Sequence, residues 1–124
     1  MPTEPDPVTL AQLVHRAAEI TDPDGADDDV TALMLRFEDA DWPVSGILES
    51  IEQRMAEAAG ALDPQEESPG LQMAAAVAVY LAHRRDEVDE ASPDDVLRMA
   101  ARAEFDGNPP AHVANWLESA GIDY

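Results

Sequence analysis

Cysteine and lysine are both missing from this 124-residue sequence, and aromatic side chains make up 5% of it. The missing cysteine excludes a disulfide framework, thiolate chemistry and any zinc site built on sulfur. The missing lysine excludes the Gly-x-x-x-x-Gly-Lys phosphate loop, and no other glycine-rich phosphate loop occurs. With so few rings, the core has to be aliphatic and rich in alanine. The strand-favouring Ile, Thr, Tyr and Phe are scarce and alanine is the best helix former, so the expected class is all-α. Long hydrophobic runs are lacking as well. The longest, about Met73 to Ala82, falls far short of the ~20 apolar residues that a membrane span needs. Met1 to Pro7 carries neither the basic nor the apolar stretch of a signal peptide, so a cytoplasmic protein is expected.

Positive charge is the other scarcity. Seven arginines face 27 acidic residues, for a formal net charge of −20. A surface of that sign repels phosphate backbones and anionic lipid, which argues against DNA, RNA and membranes as partners. It also repels itself, and low salt makes that worse. Two explanations compete: adaptation to a salty cytosol or general solubility, and a partner that is basic. The even spread of acids along the chain favours the first as their origin.

The length allows one domain, and its expected centre is the stretch from Leu71 to Arg85. On a wheel of about 100° per residue, Met73, Val77, Tyr80 and Leu81 form a bulky face. Leu71, Ala74, Ala75, Ala78 and Ala82 form a smooth one. Gln72, Ala76 and His83 leave a narrow, less apolar strip. A helix apolar nearly all round is buried, and Ser68 and Pro69 supply its cap and first position. The expected fold is therefore an all-α, compact single-domain bundle of five to six helices around a central apolar helix at about 69–85. Residues 1–8 are read as an extended or disordered N-terminal segment, and 9–124 as the helical domain. Either apolar face of the central helix would also serve a homodimer.

The flanking segments read as amphipathic helices. Thr9 and Gln12 form a capping-box pattern, followed by the stripe Leu10, Leu13, Val14, Ala17 and Ala18. Thr21 to Gly25 ends that helix, and Asp27-Asp28-Asp29 opens a second with Val30, Leu33, Met34 and Phe37 inside. Trp42-Pro43 restarts the chain, with Asp41 or Ser45 as cap of a third helix whose apolar side runs from Ile47 to Leu62. Asp86 to Glu90 is read as a solvated exit from the central helix. Ser92-Pro93-Asp94-Asp95 is a strong start for a fifth helix, with Asp94–Arg98 and Arg102–Asp106 pairs along it. Asn108 is the expected cap of the last helix, and Gly121-Ile122 fits a Schellman ending.

Catalytic constellations are hard to find. Asp22 to Asp29 has the composition of a calcium loop, but placing Gly25 at loop position 6 puts Ile20 and Thr31 at positions 1 and 12. His15 with Glu19, and His83 with Glu87, stand four apart on helices and would supply ligands only if the two helices brought them together. No Gly-x-Ser-x-Gly elbow is present. The last two helices have the outline of a helix-turn-helix, yet the second offers His112, Asn115 and Glu118 and no arginine for phosphate. Trp42 is an aromatic in an acidic loop: a hydrophobic staple for the third helix, or an anchor for a basic partner. The expected function is thus a small acidic protein-binding or regulatory module without catalytic activity or cofactor. Its expected contact surface is Asp27, Asp28, Asp29, Asp39, Asp41 and Trp42. The alternatives are a DNA-associated regulator using a degenerate C-terminal helix-turn-helix in a high-salt cytosol, and a metal-binding helical bundle.

Overall fold

The computed structural model describes residues 8–65, 67–84 and 92–122, and these form six α-helices without a strand. In chain order they are α1 (Leu10–Thr21), α2 (Asp28–Arg36), α3 (Ile51–Leu62), α4 (Pro69–Ala82), α5 (Pro93–Phe105) and α6 (Ala111–Ser119). Helix α4 is the axis of the domain, and every other helix packs against it. Its Leu71, Met73, Ala74, Val77, Ala78, Leu81 and Ala82 are wholly shielded from solvent. Residues 1–7 and 85–91 fall outside the described residues, and with them the expected N-terminal segment and the solvated exit at 86–90.

The helix starts show why the chain folds this way. Ser68 Oγ accepts from Leu71 N at 3.4 Å and Pro69 occupies the first turn of α4, where a missing N–H costs nothing. At α1 all four N-terminal amides find acceptors. Gln12 N donates to Thr9 Oγ1 at 3.2 Å and Leu13 N to Thr9 O at 3.0 Å. Leu10 N and Ala11 N donate to the carbonyls of Trp42 and Ala40, each at 2.9 Å. Gln12 Oε1 accepts from Thr9 N in return, completing the capping box. The 40–44 segment is thereby tied to α1, and Val44 N reaches back to Val8 O at 2.9 Å. Val8 is in this way tied to the start of the Val44 turn.

Three local expectations are corrected. The third helix starts at Ile51, later than expected, because Val44–Gly46 and Leu48–Ser50 form two tight 3₁₀ turns. Neither Asp41 nor Ser45 caps it; Ser50 stands at the cap position and its Oγ donates to Ile47 O instead. The cap position of α6 is Pro110, not Asn108. Finally, the strip of α4 left uncovered passes through Gln72, Ala75, Val79 and His83, while Ala76 is buried. The far end behaves as expected: Gly121 takes a φ of 77°, Gly121 N donates to Glu118 O at 3.1 Å and Ile122 N to Leu117 O at 2.9 Å, a Schellman ending.

Candidate functional site

Two regions of the surface carry unusual chemistry: the two ends of α2, and a trough beside α4. At the start of α2, Asp27 is spent on the fold. Its Oδ1 accepts from Asp29 N at 3.0 Å and Val30 N at 3.3 Å, while its other oxygen fills the space beside Gly70 on α4. Asp22 braces the same turn, accepting from Ala26 N at 3.1 Å and Asp27 N at 2.8 Å. Asp28 and Asp29 lie in the first helical turn, where negative charge is favoured by the helix dipole. The aromatic beside this turn is Trp116 of α6, which lines a shallow basin with Thr21, Asp22 and Asp27 to Asp29. Nearly ninety residues of intervening chain hid that pairing from sequence reasoning.

Asp39, Asp41 and Trp42 sit past the other end of α2, all exposed, and Trp42 is 53% exposed. Nine helical residues put the two groups of acids roughly 13 Å apart at ~1.5 Å per residue, so the six candidate residues make two patches, not one. Trp42 is not a staple. Its ring lies under the Arg54 guanidinium, 5.5 Å from the centroid, and its backbone is tied to α1.

The histidines go separate ways. His15 Nε2 meets Glu19 Oε1 at 3.2 Å, and its Nδ1 lies 3.3 Å from Met34 Sδ on α2. His83, at the end of α4, faces a cavity shared with Met99 and Arg102 of α5. Glu87 lies outside the described residues. Among the described residues no three His, Asp or Glu side chains gather closely enough to hold a metal. The α5–α6 pair keeps its helix-turn-helix outline, but His112 Nε2 is engaged by Gln72 Nε2 of α4 at 2.9 Å.

The second region was not legible beforehand. Helices α3 and α5 flank α4 without closing over it, leaving a groove of about 660 Å³. Its α3 wall presents Ala56, Ala59 and Gly60, and its floor is the uncovered strip Gln72, Ala75 and Val79 of α4. Phe105 and Glu104 of α5 form the other wall. A second cavity of about 450 Å³ continues it along α4 to His83 and shares Glu52 and Glu104 with it. Glu52 on α3 and Glu104 on α5 face each other electrostatically across this trough. Partial burial, and then the Glu52 charge, push the Glu104 carboxyl above the usual carboxylate range. No described cation lies within ion-pair distance of either carboxylate. Small residues such as Ala56, Ala59 and Gly60 on a helix carry no sign in the sequence of whether a neighbouring helix covers them.

What fold and site define is an all-α, six-helix domain carrying an acidic surface and one open, small-residue groove. No protein-family model matches the chain, and neither a curated protein nor a solved structure matches it. Among the described residues no helix is long and apolar enough to cross a membrane.

Proposed function

We propose that this protein is a small, non-catalytic binding or regulatory module whose partner is another protein with a basic surface. One observation carries the reading: among the described residues, most of the negative charge meets no cation of the chain. Among the described residues, only Glu19 and Asp95 meet a cation at ion-pair distance, Glu19 with His15 and Arg16 and Asp95 with Arg98. The expected Asp94–Arg98 and Arg102–Asp106 pairs are not among them. No charged side chain among the described residues is buried in the core. A net charge of −20 held outward raises the encounter rate with a cationic partner and suppresses anionic ones. The exposed Asp28, Asp39 and Asp41 and the half-buried Asp29, at the two ends of α2, are the long-range part of that contact, and Trp42 is its anchor.

Affinity capture with the intact protein at about 0.15 M salt should return one Lys- and Arg-rich protein, saturably and at fixed stoichiometry. Replacing Asp28, Asp29, Asp39 and Asp41 with asparagine, with Asp27 kept as the cap, should slow association about tenfold, as steering predicts. Trp42→Ala should speed dissociation instead. Capture of cationic polymers alone, without fixed stoichiometry and indifferent to these substitutions, would contradict the reading.

A further inference from the structure

We infer that the α3–α4–α5 groove is a docking site for one amphipathic helix of a partner protein, with a small apolar face and a central Arg or Lys set between Glu52 and Glu104. The inference rests on the reading of the chain as a module for basic proteins and gives that partner a shape. Three features of the groove lead to it.

The first is its form. Its floor follows α4 from Gln72 to His83, roughly 16 Å at ~1.5 Å per residue, the length of a three-turn helix. Helices dock in such grooves by an apolar stripe at i, i+3, i+4 and i+7.

The second is Gly60. Glycine in a helix interior costs about 1 kcal/mol relative to alanine. Gly70 has Asp27 against it, and Gly25, Gly107 and Gly121 take positive φ; Gly46, in a 3₁₀ turn, has neither constraint but lies outside a regular α-helix. Gly60 has neither excuse, since a Cβ built on it meets nothing within 4 Å and its backbone is helical. A bare backbone facing an open groove allows another backbone to approach closely. Ala56, one turn earlier, and Ala59 keep the same wall low.

The third is charge. Glu52, Asp63 and Glu104 line the groove beside α3 with no described cation among its lining residues. Arg84 and Arg102 line only the cavity that continues it, and neither comes within ion-pair distance of Glu52 or Glu104. Partial burial first, and the Glu52 charge second, raise the proton affinity of Glu104. A guanidinium or ammonium group placed between Glu52 and Glu104 relieves their repulsion. A second copy of this chain would bring another −20 charges to the same place, so the occupant is a basic helix rather than a homodimer.

The test uses the intact protein and three labelled peptides of about 14 residues, followed by fluorescence anisotropy at about 0.15 M salt. One peptide has an Ala/Leu stripe with a central Arg. The second has Glu at that position, and the third is a scramble of the first, equal in charge but without the stripe. The Arg peptide should bind one-to-one and at least tenfold tighter than the other two. Gly60→Leu starts from a Cβ position that meets nothing within 4 Å and projects into the open groove; it should weaken that binding at least tenfold, while melting no lower than the parent protein. Glu52→Gln with Glu104→Gln should erase most of the preference for Arg over Glu. Equal binding of the scramble, or full binding by Gly60→Leu, would overturn the groove while leaving capture by the acidic coat intact. A dimer in sedimentation that Gly60→Leu dissociates would assign the groove to a second copy and overturn it too. Loss of all cationic binding, capture included, would instead mark the failure of the underlying reading.

Discussion

Ala78→Asp should leave no cooperatively folded protein at 25 °C. Ala78 is 0% exposed on the helix against which all five others pack. An aspartate there would bury a carboxylate with no cation at hand, and an uncompensated buried charge costs about 3–5 kcal/mol. Whole domains of this size are stable by only about 5–15 kcal/mol, and self-repulsion among 20 net negative charges weakens this one further. Protonating the new carboxyl would lower the charge cost but still leave a polar group without a partner. Far-UV circular dichroism with urea titration reads the outcome. Ala61→Asp, exposed on α3, adds the same charge and should shift stability by no more than about 0.5 kcal/mol. A folded Ala78→Asp variant melting near the parent would mean that α4 is not the buried axis.

The second large effect is expected at Gly70. A Cβ there would overlap the Asp27 carboxylate, although it would meet Val30 Cγ2 at an ordinary 3.5 Å. Asp27 cannot simply swing away, because its Oδ1 holds the first amides of α2. Gly70→Ala therefore forces a choice between steric overlap and loss of the α2 cap. Cap loss costs about 1–2 kcal/mol and overpacking about 1–3, so whichever gives way a destabilisation of about 1–3 kcal/mol is expected. The coupling makes this specific. In an Asp27→Ala background the obstruction is gone, and Gly70→Ala should then cost less than about 1 kcal/mol. Strictly additive effects in that double-mutant cycle would refute the shared carboxylate.

These two positions also mark what the sequence makes legible. Periodicity alone locates α4, since an almost uniformly apolar run between Ser68 and His83 has nowhere to go but the interior. Caps made of adjacent residues, Thr9 with Gln12 or Ser68 with Leu71, are equally readable because partner and cap lie within four positions. Contacts across the fold are not. Asp27 against Gly70, Trp116 beside the Asp27–Asp29 turn, and the carbonyls of Ala40 and Trp42 over the start of α1 all depend on how helices cross. The same limit hides the groove. Helical period says that Ala56, Ala59 and Gly60 share a face of α3, but not whether α5 closes over it.

The central claim is that the acidic coat, whatever its origin, is available to a partner and is not there to keep the fold stable in molar salt. Thermal unfolding followed against potassium chloride tests this without any partner in hand. Screening of repulsion among surface charges is nearly complete once the Debye length falls from ~8 Å at about 0.15 M to ~3 Å at 1 M. The account predicts a melting temperature that rises through the first few tenths molar and then levels off. A melting temperature climbing steeply and without plateau into several molar salt would assign the acidity to salt adaptation and contradict the account.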